Sequence, residues 1–168
     1  MSPPDPGGPI RTAIYPLTDL HHVGIVVPDI EAAAADARRR YGLDVRVFEP
    51  GPYPCRIGGR DVAPVTRIAL SVEGPPHLEL LAEVPGSDIW KAVPGLHHIG
   101  FVVDDLARAA EAMATSGAPV VMGGIREGVY PAGATYHRDP LGHIVELLEH
   151  ETARRLAART AALGRADG

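Results

Sequence analysis

The stretch LHHVGIVVPDI, residues 20–30, is repeated as LHHIGFVVDDL at residues 96–106. Seven of the eleven positions are identical, and three of the other four exchange one apolar residue for another. A second pair of matching segments follows, since HLELL at 77–81 resembles IVELL at 144–148. Segments that match near the start and near the end of each copy indicate a chain built from two similar halves.

Each copy of the repeat leads from an apolar, strand-like run into an alanine-rich segment. An aspartate precedes each segment and is a favoured helix N-cap, and the glycine that follows is favoured at a helix C-terminus. The sequence therefore predicts two helices, over 31–41 with Asp29 and Gly42 at its ends and over 107–116 with Asp105 and Gly117.

Four further runs have the composition of strands, at 45–49, 65–72, 120–122 and 134–138. With the repeat they give each half about four strands and one helix, and such a half leaves one face of its sheet uncovered. We therefore predict an α+β fold in which two βαβββ modules form a curved mixed sheet around a shared cleft.

The predicted boundaries follow the repeat. Module one spans 17–84 and module two 95–150, within one domain of residues 17–150. Residues 1–16 are rich in proline and glycine, and we expect them to form a disordered tail. Residues 151–168 are expected to form a C-terminal helical extension without a recognisable motif.

Composition and charge exclude several classes of function. The 168 residues carry a formal net charge of −5, which is typical of a globular protein and not of a nucleic-acid binder. No apolar run approaches the ~20 residues of a membrane-spanning helix. The N-terminus lacks a signal-peptide pattern, and the single cysteine, Cys55, cannot form an internal disulfide. We expect a cytoplasmic protein with no nucleic-acid or membrane partner.

Glu79 and Glu146 occupy matching places in the runs that end the two halves. Each interrupts an apolar run without lysine or arginine, and an ionised carboxylate there costs several kcal/mol unless a positive group meets it. Because side chains alternate between the faces of a strand, one histidine of the pair 21–22 and one of the pair 97–98 face the cleft.

A divalent metal ion would neutralise both carboxylates. If a pseudo-twofold axis relates the halves, each half contributes one histidine near its start and one glutamate near its end to a common centre. Two imidazoles and two carboxylates suit Zn, Ni, Co, Mn or Fe(II), and the donor set does not choose among them.

The repeat and the segment DPLGHIVE at 139–146 resemble the vicinal oxygen chelate superfamily, which includes glyoxalase I, methylmalonyl-CoA epimerase, extradiol dioxygenases and bleomycin-resistance proteins. The resemblance covers roughly residues 18–150 and is greatest to the epimerase branch. It implies that the second histidine of each pair is a ligand, so the implied metal ligands are His22, Glu79, His98 and Glu146.

The resemblance implies a metal-dependent isomerase, epimerase or lyase. Such an enzyme would abstract a proton next to the carbonyl of a small acyl-CoA or α-oxo substrate, with Glu146 and Glu79 as catalytic general bases. A small-molecule substrate and a homodimer are the expected partners.

Two alternatives stay open. An Fe(II) extradiol-type dioxygenase needs a two-histidine, one-carboxylate face with open positions, and Glu79 would occupy a fourth position. A non-catalytic protein that binds an antibiotic or another small molecule usually lacks the ligand set.

The chain also departs from the epimerase pattern. In that branch the loop after the first helix follows a pair of acidic residues, whereas here Glu49 precedes the proline-rich sequence PGPYPC. The sequence leaves open whether Glu49, His77 or the segment 50–64 contacts substrate. The aromatic residues Trp90, Tyr53, Tyr130 and Tyr136 are candidates for the cleft lining or for ordinary core packing.

Overall fold

The computed structural model describes residues 15–165, so almost all of the predicted tail lies outside the described residues. Within this range the first half contains a short 3₁₀ helix, Leu17–Asp19, eight strands and one α-helix. The strands and the α-helix are β1 Leu20–Val27, α1 Ile30–Tyr41, β2 Val45–Val47, β3 Gly51–Pro52, β4 Cys55–Ile57, β5 Arg60–Val62, β6 Val65–Thr66, β7 Ile68–Ser71 and β8 His77–Ala82. The rest comprises β9 His98–Val103, α2 Leu106–Thr115, β10 Val120–Gly124, β11 Ala134–Arg138, β12 Ile144–Glu149 and α3 His150–Arg165.

The two predicted N-caps are confirmed. The carboxylate of Asp29 accepts a hydrogen bond from the backbone N–H of Ala32 at 2.9 Å, and Asp105 accepts one from Arg108 at 3.0 Å. Gly42 ends α1 with φ 68°, a left-handed conformation that glycine adopts without steric cost. Local sequence signals therefore set the ends of the repeated helix.

Ten strands form one mixed sheet in the order β2-β7-β8-β1-β9-β12-β11-β10-β4-β5. The order β2-β7-β8-β1 is mirrored by β10-β11-β12-β9, and the halves meet where β1 and β9 pair antiparallel. In each half the first strand runs parallel to the last. The predicted α+β fold with two βαβββ modules and a C-terminal helix is confirmed.

Helices α1 and α2 pack on one face of the sheet. Ile30, Ala34 and Ala37 of α1 contact apolar residues of β2, β7 and β8, and α2 packs in the same way against β9 and β12. The opposite face, called the cleft face below, carries a separate apolar cluster that includes Val26, Trp90 and Tyr136. Helix α3 covers part of the cleft face, where Leu156 packs against Leu148.

The segment 50–64 is more ordered than the sequence suggests. Its strands β4 and β5 form a hairpin through Gly58 and Gly59, both with positive φ, and β4 pairs with β10 at the far end of the sheet. In a flat sheet the eight strand spacings from β2 to β4 would cover about 38 Å. The eight residue-to-residue steps from Val47 to Cys55 span at most about 29 Å. The sheet must therefore curve.

Candidate metal centre

Four side chains that the sequence predicts as metal ligands lie together on the cleft face, in four adjacent strands of the sheet. They are His22 on β1, Glu79 on β8, His98 on β9 and Glu146 on β12. All four are buried, and none is more than 6% exposed. Each half contributes one histidine and one glutamate, as a pseudo-twofold arrangement requires.

One donor atom of each residue faces a common centre, and the four atoms lie within 4.8 Å of one another. The Nε2 atoms of His22 and His98 are 2.9 Å apart, and each lies 2.9 Å from Oε2 of Glu146. Oε2 of Glu79 lies 3.1 Å from Nε2 of His98 and 3.7 Å from Nε2 of His22. The arrangement offers two nitrogen and two oxygen donors to one small cation.

Two glycines of the repeated motif make this convergence possible. Across the strands, Gly24 lies between Glu79 and His98, and Gly100 lies between His22 and Glu146. Each imidazole lies over the glycine of the neighbouring strand and so reaches the carboxylate one strand further on. A Cβ at Gly24 would lie 1.9 Å from Cε1 of His98, and a Cβ at Gly100 would lie 2.0 Å from Cε1 of His22.

The two buried carboxylates are stable as anions only beside a positively charged group. Burial lowers the pKa of His98, but hydrogen bonds to Glu146 and Glu79 outweigh burial and raise the pKa to about 9. Burial raises the pKa of Glu146, but hydrogen bonds from His22 and His98 outweigh it and hold the pKa well below its usual range. A proton on the histidines or a divalent cation can supply this positive charge. The mixed nitrogen and oxygen donors suit a divalent cation.

The first histidine of each pair contacts Nδ1 of the second, the ring nitrogen that faces away from the centre. Nδ1 of His97 lies 2.8 Å from Nδ1 of His98, and Nε2 of His97 lies 2.8 Å from the carbonyl oxygen of Ile89. Since a carbonyl only accepts, Nε2 of His97 carries the proton and its Nδ1 accepts from Nδ1–H of His98. In neutral His98 the lone pair is then on Nε2, the atom that faces the centre.

His21 and His22 repeat the contact, with their Nδ1 atoms 2.9 Å apart. Burial, followed by the neighbouring imidazoles of His22 and His77, lowers the pKa of His21 to about 4. Burial and the adjacent His98 also lower the pKa of His97. Both outer histidines are therefore neutral near pH 7 and can accept a hydrogen bond.

A cavity of about 500 Å³ opens beside the centre and is lined by Glu79 and Glu146. Trp90, Tyr53 and Tyr136 form part of its apolar wall, whereas Tyr130 lies under the guanidinium of Arg56 outside the lining. Burial raises the pKa of the Tyr53 and Tyr136 hydroxyls above their usual range, so both phenols stay protonated and can donate hydrogen bonds.

The sequence left open which residues of the first half contact substrate, and the structure places some of them in the cavity and others outside it. Glu49 and residues 51–54 of the proline-rich segment line the cavity. His77 is not among the lining residues, and its Nδ1 donates to the backbone carbonyl of Ser71 at 3.0 Å. Among the cavity residues that sequence reasoning missed are Arg155 and Arg159 of α3. The helical spacing of residues 152, 155, 156 and 159 was the available signal.

Comparison with known proteins gives three findings. The family model of the glyoxalase/bleomycin resistance protein/dioxygenase superfamily matches residues 21–136. An ethylmalonyl-CoA/methylmalonyl-CoA epimerase of Cereibacter sphaeroides is 33% identical over 108 residues, which cover 62% of this chain and 75% of the relative. A methylmalonyl-CoA epimerase in complex with methylmalonyl-CoA and NH4⁺ has a similar fold, with TM-score 0.55 and 22% identity over 78% of this chain and 93% of that chain.

A second solved structure, methylmalonyl-CoA epimerase from Mycobacterium tuberculosis, superposes with TM-score 0.52 at 23% identity and covers 79% of this chain and 87% of that chain. Both structural likenesses concern the fold. Separately, no helix within residues 15–165 has the length and apolar character to cross a membrane.

Proposed function

Because the chain belongs to the glyoxalase/bleomycin resistance protein/dioxygenase superfamily, we propose that it is a divalent-metal-dependent epimerase of a small acyl-CoA with an acidic C–H next to its thioester carbonyl. The observation that carries the proposal is the group of four buried donors whose two carboxylates line a cavity. The relative that acts on ethylmalonyl-CoA and methylmalonyl-CoA supports the substrate class.

His22, Glu79, His98 and Glu146 would hold the metal ion. When bound, the ion would supply a Lewis acid that stabilises negative charge developing on the carbonyl oxygen of the substrate. The donor set suits Zn, Ni, Co, Mn or Fe(II) alike. The burial of all four residues supports the assignment, because two buried carboxylates need a cationic partner.

The carboxylates would move the proton. Glu146 is ionised at neutral pH, as a proton acceptor must be, and it lines the cavity together with Glu79. The C–H bond breaks, the proton passes to the carboxylate, and the electron pair delocalises onto the thioester carbonyl. Return of a proton to the other face of the same carbon inverts the centre. The candidate donor is Glu79, which would hold this proton as a carboxylic acid when the C–H bond breaks, so that Glu146 ends protonated and Glu79 ends ionised.

The other cavity residues fit this chemistry. The volume of about 500 Å³ is within the usual range for small-molecule sites. Trp90 and Leu81 contribute apolar surface to the same cavity as the carboxylates. The protonated hydroxyl of Tyr136 is a hydrogen-bond donor for a substrate oxygen.

The donor set weighs against the two alternatives. A dioxygenase of the extradiol type needs open positions beside a single carboxylate, and Glu79 supplies a second one. A binding protein has no need of two carboxylates that require neutralisation. A lyase reaction and a homodimer stay predictions.

Hydrogen exchange tests the proposal. The chain is loaded in turn with Co²⁺, Zn²⁺, Ni²⁺ or Mn²⁺ and incubated with one epimer of methylmalonyl-CoA or ethylmalonyl-CoA in D₂O. We expect metal-dependent loss of the α-proton signal by NMR together with epimerisation. Glu146→Gln should lower the exchange rate about 10²–10⁴-fold, the usual contribution of a positioned general base.

The control is Glu111→Gln, which changes an exposed glutamate of α2 on the other side of the sheet and should leave exchange unchanged. Metal content is measured for each variant, so that loss of metal is separated from loss of the base. Full exchange by metal-loaded Glu146→Gln would overturn the assignment of the base. Fe(II)-dependent oxygen uptake with a catechol would instead favour the dioxygenase.

A further inference from the structure

One wall of the cavity is formed by helix α3, which begins at His150 and so lies beyond residues 21–136 that match the family model. Its contribution is Thr152, Arg155, Leu156 and Arg159. These positions follow the spacing i, i+3, i+4, i+7, which places them on one side of the helix. Leu156 is buried against Leu148 and anchors this side of α3 to the cleft face.

Arg159 has a free charge at this wall. Its guanidinium carbon lies 4.3 Å from the centre of the Phe48 ring, an aromatic contact that fixes the side chain without neutralising it. In the part of the chain that the structure describes, the ion pairs include no carboxylate within 4.0 Å of Arg159. Arg155 reaches a carboxylate only at 4.0 Å, that of Glu151.

The third arginine of the lining differs. Arg126 donates to Glu149 at 2.6 Å and lies 3.5 Å from Glu151, so its charge is already matched. The acidic residues Glu49 and Glu127 also line the cavity. The cationic character of the cavity is therefore concentrated on one side of α3.

This cationic wall is separate from the metal centre but shares its cavity. Leu148 is two residues beyond Glu146 on β12, about 6.6 Å further along the strand, and it packs against Leu156 between the two arginines in sequence. A ligand whose reacting carbon lies at the carboxylates can thus extend along β12 toward Arg155 and Arg159.

We propose that Arg155 and Arg159 bind an oxyanion of the substrate, a phosphate or a carboxylate, at the α3 end of the cavity. Arginine suits this role because its guanidinium forms paired, charge-assisted hydrogen bonds with planar and tetrahedral oxyanions. The identity of the ligand as part of an acyl-CoA rests on the proposed function, whereas the oxyanion site itself does not. The two sources are the phosphates of the CoA portion and a free carboxylate of the acyl group.

Direct binding tests the proposal. Trp90 lines the cavity and is the single tryptophan of the chain, so its fluorescence reports occupancy. Metal-loaded protein is titrated with CoA and, separately, with methylmalonate, with calorimetry as a second readout. We expect the Arg155→Gln/Arg159→Gln variant to bind at least one probe 10-fold or more weakly, and added salt to weaken wild-type binding. Loss for CoA alone assigns the phosphates, and loss for methylmalonate assigns the carboxylate.

The matched control is Arg154→Gln, an exposed arginine of the same helix that does not line the cavity. It should bind both probes as the wild type does. Unchanged binding by the double variant, equal weakening by the control, or failure of both probes to bind wild type would overturn the proposal. Arginine-dependent binding of a probe by wild-type protein that shows no hydrogen exchange would refute only the epimerase.

Discussion

At the scale of the residue, the two histidines of each pair have different roles: the second faces the centre, and the first orients the second. His98 presents Nε2 to the centre, and Nδ1 of His97 accepts a hydrogen bond from Nδ1–H of His98. The chain of contacts ends at the carbonyl of Ile89, which fixes the tautomer of His97 and therefore that of His98. We interpret His21 and His97 as positioning residues, because they lie behind the donors and not among them.

Replacement of His97 by phenylalanine should weaken metal binding about 10–100-fold, the usual cost of losing a partner of a ligand histidine. The ring volume is retained, but Nδ1 of His98 loses its acceptor, so both the tautomer and the orientation of the ring are less restricted. Competition titration with Zn²⁺ measures the affinity, and the visible spectrum of the Co²⁺ form reports whether the ligand set is unchanged.

His97→Gln should recover part of the affinity, because its amide oxygen can accept a hydrogen bond. The control is His150→Phe, which alters an exposed histidine paired with Asp104. Equal Zn²⁺ affinity of wild type and His97→Phe would show that the histidine pair has no positioning role.

The donor residues were accessible to sequence reasoning for a physical reason. Glu79 and Glu146 are charges inside apolar strands, and the repeat links each of them to a histidine. Arg155 and Arg159 were missed because an alanine- and arginine-rich helix also reads as a solvated surface helix, and only its packing on the cleft face gives the charges a role.

At the scale of the element, the glycines of the repeated strands set the distance between donors. Gly24 and Gly100 have no side chain on the cleft face, so the imidazole of His98 or His22 can lie across the neighbouring strand. The backbones of a histidine and a glutamate two strands apart are separated by about 9.6 Å, so the imidazole must cross the intervening glycine to reach the carboxylate. The glycine two residues after each candidate ligand histidine is thus part of the site.

Gly24→Ala should lower the free energy of unfolding by about 1–3 kcal/mol, the typical cost of overpacking a core, and should weaken metal binding because His98 is displaced. In a His98→Ala background the same substitution should cost much less, since the group that it meets is gone. Denaturant unfolding of the four proteins of this cycle measures the coupling.

Gly51→Ala is the matched control, because a Cβ at Gly51 meets no atom within 4 Å and the residue has no positive φ. A cost of Gly24→Ala that is the same with and without the His98 imidazole would contradict the proposed role of the glycine.

The strands show where prediction from sequence ends. The repeat predicted β1, β9 and both following helices, because capping and apolar periodicity are local properties. The run 65–72 was wrong as one strand, since β6 and β7 are separate at Arg67. The sequence Gly58-Gly59 indicates the turn of the β4–β5 hairpin. The pairing of β4 with β10 depends on the curvature of the whole sheet and has no local sequence pattern.

At the scale of the whole molecule, the candidate centre lies where the two halves meet. The halves pair in the sheet through β1 with β9 and, at the far end, through β4 with β10. The donors come from β1 and β9 and their outer neighbours β8 and β12. A cation bound to all four residues therefore connects the halves. Folding of the halves against each other and metal binding should be linked processes.

Metal ion at 100 times its dissociation constant should raise the free energy of unfolding by about 2.7 kcal/mol. For a chain of this size that gain corresponds to an increase in Tm of roughly 5–10 °C. Scanning calorimetry of the chelator-treated and Zn²⁺-loaded protein measures the shift. His98→Ala removes one donor and should abolish most of it, whereas the exposed control Glu111→Gln should retain it in full. An equal shift in His98→Ala would mean that the metal stabilises the chain from another site and that the halves are not joined through the four donors.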